Sequence, residues 1–555
     1  MFAVRITSIA VKRLVFLIIT FFLILSCTSH KKEEAAITIK PNYKPELNTF
    51  FKENFYNTLT SEDDFKELDS IKWITNFYKN NDFTTIWFND SIQLTKSAEK
   101  LISQLTDSKK YGIDSRLYPI NLFNELSNKV EKESFGENKY LAATHLEILL
   151  THYYMQHGKH LNYGLLSMID SITEVPRKVF AVNMPEYLQK SFEKDSLISK
   201  LLALQPKHKE YHYLQKGLEK FLETSELTTD NINVINFRDD SLRSVSSAKE
   251  ALILHKYLTE KAKDSLFLKA LTKFQEDHGL KPDSLIGSKT AKALSLSPYE
   301  YYKRLQATLE RWRWKKEWPT DYLYVNIPSY RLEVVKNGKL VREHRVVVGS
   351  VTNKTPEIVD TLEYLIAYPY WHVPRKISVE EILVKAKKDS TYLQRNNYDI
   401  MTYSREHIDP TTVDWSSVNK NNFNYFIRQQ GGGANALGLV KFIFPNKHSI
   451  YLHDTPTKYY FDLETRAYSH GCIRVQKAMD LAKFLLEDDE NKYTIDSVYK
   501  YIDKKKEKHM PLNKKLPIFL YYFTAEADST GNVKFYDDVY GLDKKLIKEL
   551  INTGN

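Results

Sequence analysis

The hydrophobic pattern of the chain changes its period near residue 315. Over residues 46–235 apolar side chains recur every three or four positions, which predicts amphipathic helices and a helical scaffold domain. Over residues 320–487 apolar and polar residues alternate in stretches such as SYRLEVVKNGKLV, LEYLIAYPYWHVP and KHSIYLHD, which predicts β-strands. The dipeptide Asn337-Gly338 is typical of a hairpin turn. We therefore expect an α+β fold whose β domain is built on a mixed sheet or sandwich.

Two further segments belong to this β domain. Residues 376–430 interrupt the alternation with helical and polar sequence, so we expect an inserted capping subdomain there. The insertion ends in QQGGGANALG, whose three consecutive glycines require a flexible or tightly turned backbone. Residues 488–555 are expected to form a C-terminal extension, in which a hairpin that turns near Thr530-Gly531 completes the same sheet.

A separate helical unit is expected over residues 243–297. One helix carries Phe267, Leu271 and Phe274 on one face, ends at HG, and is followed by a second helix that begins at Ser288. The elements FQ, HGL and IG in FLKALTKFQEDHGLKPDSLIGSKT resemble the signature of the three-helix peptidoglycan-binding module, with Ser284 in place of the usual glycine. The resemblance implies a peptidoglycan-binding-like module. Such bundles either bind the wall or serve as spacers, and both roles stay open.

The N-terminus has the pattern of an export signal. Basic residues precede an apolar run over residues 14–25 that is too short to cross a bilayer comfortably, which is typical of a signal peptide. The run ends in ILSC, similar to the bacterial lipoprotein processing box, and this resemblance implies that residues 1–27 are a signal peptide with lipidation at Cys27. Residues 28–45 are polar and are expected to be a tether. We expect a protein of the cell envelope that faces the periplasm on a lipid anchor; an uncleaved anchor or plain secretion is the alternative.

Charge and cysteine content narrow the function. The chain has 80 basic and 70 acidic residues, interleaved along most of its length, and no recognisable nucleic-acid-binding motif accompanies them, so we expect no nucleic acid partner. If Cys27 carries a lipid, Cys472 has no partner in a compartment that favours disulfides, and it is either an inert core residue or a reactive thiol. With one thiol available, a zinc site is disfavoured, and we expect no metal and no cofactor.

Strand alternation predicts which way the residues around Cys472 face. In SIYLHD, Ile450 and Leu452 are expected to point into the core and His453 away from it. In CIRV the apolar residues are expected to point inward, and Cys472 and Arg474 outward. If the two strands are neighbours in one sheet, the thiol and the imidazole can meet.

The chemistry expected of this pair is that of an activated cysteine. A free thiol has a pKa of about 8.5, and a protonated imidazole beside it raises the thiolate fraction near neutral pH. We therefore expect His453 to take the thiol proton and later return one to the leaving amine. The bare backbone at Gly471 allows amides 471 and 472 to form an oxyanion hole. The carbonyl or the side chain of Asp454 is expected to hold the His453 ring.

Two side chains beside the cysteine have open roles. His470 either shapes the turn through the backbone or contacts the substrate, and we favour the supporting role. Arg474 pairs either with a carboxylate of the chain or with a carboxylate of the ligand.

These residues carry a resemblance to a known family. His453-Asp454 followed by SHGC at 469–472 is similar to the signature of the L,D-transpeptidases of bacterial cell walls. The stretches NALGLVKFIFPNKHSIYLHDTP and RAYSHGCIRV resemble the large subtype of Gram-negative bacteria, which also has a helical scaffold, a wall-binding module, a capping insertion and a C-terminal strand pair.

The resemblance implies an activity and a set of site residues. Family members attack the bond after the third residue of a peptidoglycan tetrapeptide stem, form a thioester, release D-alanine and pass the acyl group to an amine of a neighbouring stem, which gives 3-3 cross-links. It implies that Cys472 is the nucleophile and His453 the base, and that carbapenem-type inhibitors acylate the enzyme. The implied lining residues of the site are Gly471, His470, Arg474, Tyr451, Ser469 and Trp371.

Other functions remain open at this level. Water in place of the acceptor amine would make the protein an L,D-carboxypeptidase, and a protein amine would make it a protein-to-wall ligase. A non-enzymatic wall-binding lipoprotein is a hypothesis of another class. A cysteine peptidase that acts on proteins shares the nucleophile but finds no support in the wall-binding module.

Overall fold

The computed structural model describes residues 42–61, 65, 70–166, 175, 177–487 and 492–553. The predictions for the signal peptide, for Cys27 and for most of the tether lie outside these residues. The expected tether reaches residue 45, but the first described helix already begins at Lys44. Over the described residues the α+β class is confirmed, with helices in the N-terminal part and mixed sheets in the C-terminal part.

The N-terminal part is a bundle of helices around one apolar core. Its longest helix is buried on most sides, because its apolar residues surround the axis and do not form a single stripe. The helices of this part are α1 (Lys44–Ser61), α2 (Ile71–Asn80), α3 (Lys96–Thr106), α4 (Ile120–Lys132), α5 (Glu137–Tyr163), α6 (Met184–Glu193), α7 (Leu197–Leu202) and α8 (Lys209–Thr224).

Three helices form a smaller bundle with a core of its own: α9 (Ser241–Leu254), α10 (Phe267–Asp277) and α11 (Ser288–Leu294). Phe267, Leu271 and Phe274 are buried in that core, as their shared face predicted. Ser284 has a φ of +60°, a left-handed conformation that glycine adopts with least strain, which explains why glycine is usual at this position. Helix α12 (Pro298–Trp314) follows and is buried along nearly its whole length.

The C-terminal part is built on a nine-stranded mixed sheet with the order β11-β3-β12-β10-β9-β4-β13-β1-β2. An additional pairing of β2 with β3 closes eight of these strands into a ring around an apolar core. The strands are β1 (Tyr322–Asn326), β2 (Arg331–Lys336), β3 (Lys339–Gly349), β4 (Ile358–Ala367), β9 (Val440–Ile443), β10 (Leu452–His453), β11 (Ala467–Ser469), β12 (Ile473–Val475) and β13 (Lys508–Tyr521).

Two hairpin predictions have different outcomes. Strands β2 and β3 pair across Asn337-Gly338, both with positive φ, so the predicted hairpin is confirmed. The predicted C-terminal hairpin forms, between β14 (Ala525–Ala527) and β15 (Val533–Phe535), but it is a two-stranded sheet of its own and does not join the large one. The C-terminal segment contributes to the large sheet through β13, which lies between β4 and β1.

The stretch between β4 and β9 is a small subdomain with its own core. Its four-stranded sheet consists of β5 (Trp371–His372), β6 (Tyr398–Met401), β7 (His407–Ile408) and β8 (Phe426–Gln429). Its helices are α13 (Arg375–Ile377), α14 (Leu383–Lys388) and α15 (Tyr392–Arg395), with a π-helical turn at Ser378–Ile382. The helical and polar character expected of residues 376–430 did not predict β6, β7 and β8. The predicted strand LEYLIAYPYWHVP runs through Trp371, but β4 ends at Ala367 and Trp371 lies in the separate strand β5. Trp371 instead pairs with Gln429 inside the subdomain.

The remaining helices are α16 (Ala478–Glu487), α17 (Ile495–Asp503) and α18 (Leu542–Asn552). Helix α16 packs its apolar face against the core of the ring. Among the described helices, none has both the length and the apolar character that a membrane span requires.

Candidate active site

The strands that carry the histidine and the cysteine are neighbours. Strands β10 and β12 pair in parallel, with Leu452 opposite Ile473 and His453 opposite Arg474. The Ile473 amide donates to the Tyr451 carbonyl at 3.0 Å, which continues this register toward Cys472. The apolar partners are buried in the core, so His453, Arg474, Tyr451 and Cys472 share the other face, as alternation predicted.

The Cys472 side chain is half-buried and also packs against the apolar core of the ring. Its sulfur lies 3.7 Å from the Ser449 carbonyl oxygen and also hydrogen-bonds the Tyr451 hydroxyl. The same hydroxyl hydrogen-bonds the side chain of Trp371, which reaches it from the insertion. Burial raises the pKa of the Cys472 thiol, while the bonds from Tyr451 and the charges of Lys441 and Arg474 oppose that rise.

The imidazole of His453 is buried, with 5% of the residue exposed. Its Nδ1 donates to the Asp454 carbonyl at 2.5 Å, which leaves Nε2 as the proton acceptor. Burial and the nearby charge of Arg474 lower the pKa of His453 to about 3. Burial thus favours the neutral form of both the imidazole and the thiol, whereas the sequence led us to expect a protonated imidazole beside the thiol. Among the described residues, the hydrogen bonds of the sulfur go to Ser449 and Tyr451 and not to His453.

Asp454 was expected to hold the His453 ring through its carbonyl or its side chain, and the structure shows the hydrogen bond to the carbonyl. The Asp454 carboxylate instead accepts a hydrogen bond from the Leu439 amide at 3.0 Å and pairs with Lys458. Gly438, with a φ of +62°, packs so closely that a Cβ there would lie 2.4 Å from the carboxylate. Asp454 thus ties the NALG segment to the strand of His453.

The turn before Cys472 is held by internal hydrogen bonds. Gly471, with a φ of +114°, donates its amide to Ser469 Oγ at 3.2 Å, and Ser469 Oγ donates to the Cys472 carbonyl at 2.5 Å. Two expectations need correction. Ser469 is buried and its hydroxyl is used within the turn, so it does not line the substrate site. The Gly471 amide already has an acceptor, so it is not a free donor for an oxyanion.

The insertion contacts the cysteine turn directly. His470 Nε2 hydrogen-bonds the carboxylate of Glu381, which lies in the π-helical turn of the insertion. Lys376 Nζ donates to Asn353 Oδ1 at 3.0 Å from the same part of the insertion. His470 therefore has a supporting role, because its side chain joins the cysteine turn to the insertion.

Cationic side chains flank the imidazole on both sides. Lys441 of β9 lies opposite His453 in the antiparallel pairing, and its Nζ is 3.6 Å from the centre of the Tyr451 ring. On the other side the Arg474 guanidinium lies 5.3 Å from the centre of the Tyr460 ring. Within the described part of the chain, Arg474 has no carboxylate partner. The alternative in which this arginine pairs with a carboxylate of the chain is not observed there.

Comparison with known proteins identifies the domain that contains this arrangement. Residues 320–498 match the family of the L,D-transpeptidase catalytic domain, and residues 72–218 match a scaffold domain. The chain carries an L,D-transpeptidase catalytic domain. A protein of Haemophilus influenzae named "Putative L,D-transpeptidase" is 37% identical over 230 residues, which cover 41% of this chain and 46% of that protein. The match thus spans less than half the length of this relative.

In the L,D-transpeptidase domain, two side chains near the sulfur escaped the sequence analysis. Lys441 is one of the two outward residues of VKFI, and the alternation in β9 is the signal that would have found it. The Thr355 hydroxyl donates to the Gly471 carbonyl at 2.6 Å and comes from a loop more than one hundred residues earlier, so no local pattern indicates it. The described residues of the domain contain no cluster of three or more His, Cys, Asp or Glu side chains able to hold a metal.

Proposed function

We propose that this protein is a cysteine L,D-transpeptidase that cross-links peptidoglycan stem peptides between their third residues through a thioester on Cys472. The observation that carries the proposal is the parallel pairing of β10 with β12, which places the thiol and the imidazole on one face of the sheet. The family match of residues 320–498 supports the same reaction class.

In the first half of the reaction, the Cys472 sulfur attacks the carbonyl carbon between the third residue of the stem and D-alanine. His453 Nε2 accepts the thiol proton as the S–C bond forms, because the neutral imidazole has a free lone pair there. The C–N bond then breaks, and the imidazolium returns the proton to the leaving D-alanine amine. Burial disfavours both the imidazolium and the thiolate, which favours proton transfer in concert with the attack.

In the second half, an amine of a neighbouring stem attacks the thioester and gives its proton to His453, and the sulfur leaves and is reprotonated. The oxyanion of each tetrahedral intermediate is stabilised by the Cys472 amide, since the Gly471 amide donates to Ser469. The charges of Lys441 and Arg474 stabilise negative charge at the sulfur and at this oxygen.

Arg474 also has a role in binding. Its guanidinium faces the site without a carboxylate partner in the described residues, and stem peptides carry free carboxylates. We therefore assign Arg474 to a carboxylate of the donor stem, with Tyr451 and Trp371 beside the scissile bond. Export, lipidation at Cys27 and the wall-binding role of α9 to α11 complete the proposal, supported by the sequence patterns alone.

Intact-mass analysis tests the acyl-enzyme. Wild-type protein mixed with a disaccharide-tetrapeptide is expected to gain the mass of the substrate minus D-alanine, and the Cys472→Ala protein to gain none. The matched control is Cys27→Ser, which leaves Cys472 as the only thiol and is expected to acylate normally. A carbapenem is expected to form an adduct in the same two proteins.

Product analysis separates the transpeptidase from its alternatives. Formation of a 3-3 linked dimer of disaccharide-peptides supports the proposal. Release of D-alanine with no dimer would show a carboxypeptidase instead. No adduct from either the tetrapeptide or the carbapenem would favour a non-enzymatic wall-binding protein.

A further inference from the structure

A cavity of about 330 Å³ lies where the three-helix bundle, the L,D-transpeptidase domain and the C-terminal hairpin meet. Its wall includes His278 and Lys289 of the bundle region, Arg345 and Arg466 of the L,D-transpeptidase domain, and Tyr536 of the hairpin. Cys472, His453 and Tyr451 are not among its lining residues. We call this space the junction cavity.

The junction cavity has an excess of positive charge. Six of its lining side chains are lysine or arginine and three are aspartate or glutamate. Each of the three carboxylates already has a cation: Lys289 pairs with Glu464 at 3.4 Å, Lys292 with Asp537 at 2.8 Å and Arg345 with Asp462 at 3.7 Å. His278 does not add to the charge, because burial lowers its pKa to about 3. Of the other three cations, Lys281 pairs with Asp283 at 3.4 Å, which leaves Arg304 and Arg466 without a carboxylate partner among the lining residues.

Arg466 is the clearest of these cations. Two of its nitrogens donate to carbonyls, of Leu463 at 2.9 Å and of Tyr330 at 3.3 Å, while its Nε is buried without a partner among the described residues. Burial and the charge of Arg345 lower the pKa of Arg466 to about 10. A bound anion would offset both the burial of the Arg466 guanidinium and its repulsion from Arg345.

One segment separates the junction cavity from the active site. The turn Lys458–Asp462 and residues 463–466 follow the histidine strand β10 and lead into β11, which precedes the cysteine turn. On the active-site side Tyr460 lies against Arg474, and on the cavity side Asp462 and the Phe461 carbonyl contact Arg345. A ligand long enough to follow this segment would contact both sites.

We propose that the junction cavity binds a carboxylate of the peptidoglycan stem peptides on the same glycan strand whose stem occupies the active site. The inference rests on the proposed function, because it takes its ligand from that substrate. Aromatic rings beside the cations, those of Tyr330 and Tyr536, suit a ligand that also has sugar and peptide surface. The cavity would select polymeric wall over free peptide and would align the strand before acylation.

The test measures affinities by calorimetry with full-chain Cys472→Ala protein, which binds without turnover. The short probe is a free tetrapeptide, and the long probe is a tetrasaccharide with two tetrapeptides. The variants are Arg466→Gln, Arg345→Gln and Lys289→Gln. Lys289→Gln is included because it leaves the loop carbonyls bound by the two arginines untouched. Arg342→Gln is the matched control: an exposed arginine on β3, as Arg345 is, that does not line the cavity.

Each cavity variant is expected to weaken binding of the long probe about fivefold, since one favourable charge is removed near a partly exposed anion. The affinity for the short probe is expected to stay within about twofold of the wild-type value. Arg342→Gln is expected to change neither affinity. Amidation of the carboxylates of the long probe is expected to abolish the difference between wild type and variants.

The junction-cavity proposal would be overturned if the variants lost equal affinity for both probes, or lost none for the long probe. It would also be overturned if Arg466→Gln still weakened binding of the amidated long probe. A phosphate site would be indicated instead by two results together: millimolar inorganic phosphate removes the higher affinity of the long probe, and amidation of the probe does not change its affinity. Failure of the proposed function has a different signature: wild type would form no acyl-enzyme with the tetrapeptide, whatever the cavity variants do.

Discussion

His470 Nε2 hydrogen-bonds Glu381 across the boundary between the cysteine turn and the capping insertion. The residue next to Gly471 is therefore tied to the position of the insertion. The two side chains are each about 40% exposed, so this contact contributes little to global stability. Its effect is local, at the edge of the substrate site.

Glu381→Gln is expected to loosen the insertion without unfolding the protein. Amide exchange over residues 375–388 should become faster while exchange in β10 stays the same, because the contact joins only these two parts. The melting temperature should change by no more than about 2 °C, as for a partly exposed ion pair. Glu380→Gln, on the exposed neighbouring carboxylate, is the matched control and should change neither quantity. Unchanged exchange in the Glu381 variant would show that the contact does not hold the insertion.

Tyr451→Phe is expected to raise the pKa of the Cys472 thiol further, because the hydroxyl opposes the effect of burial, second only to the backbone hydrogen bond of the same residue, which the variant keeps. Alkylation by iodoacetamide should then be about tenfold slower at pH 7 and should recover at higher pH, since a shift of one pKa unit changes the thiolate fraction tenfold. Tyr468→Phe alters an exposed tyrosine on β11 and should leave the alkylation profile unchanged. A profile that Tyr451→Phe does not displace would mean that the hydroxyl does not stabilise the thiolate.

Gly438→Ala is expected to destabilise the protein by about 1–3 kcal/mol, because alanine is strained at a left-handed φ and its Cβ would clash with the Asp454 carboxylate. The same variant is expected to slow acylation of Cys472. Displacement of Asp454 would move the carbonyl that holds the His453 ring. Gly433→Ala, where a Cβ meets open space at a negative φ, is the control and should be neutral. Urea unfolding and the acylation rate with a carbapenem measure both effects. Equal behaviour of the two variants would contradict the packing argument.

Acid is expected to destabilise the fold through its buried histidines. Burial lowers the pKa of His157 to about 3, below its value of about 6.5 in the unfolded chain, so the unfolded state binds the proton first and stability falls as the pH drops from 6.5 toward 3. At pH 5 this one group costs about 2 kcal/mol. His157→Asn preserves an acceptor for the Tyr118 hydroxyl and should reduce the loss of unfolding free energy between pH 7 and pH 5. The exposed residue His407 offers a control in His407→Asn, which should keep the wild-type loss. The same loss in both variants would refute the assignment to His157.

The sequence by itself determined the faces of the short strands and the chemistry of their residues. Alternation in SIYLHD and CIRV predicted that His453 and Cys472 face away from the core, and helical spacing predicted the shared face of Phe267, Leu271 and Phe274, because these patterns depend only on neighbours along the chain. The motif around Cys472 was sufficient to indicate the family of the domain.

Only the tertiary structure decided which strands are neighbours and how deeply their side chains are buried. Burial keeps His453 neutral, and Lys441, Trp371 and Glu381 reach the site from a separate strand and from the insertion. The hydrogen bond from the Gly471 amide to Ser469 also could not be predicted from the sequence. Strand pairing, desolvation and close packing join residues far apart in the chain, and their free energies depend on three-dimensional surroundings that no local pattern encodes.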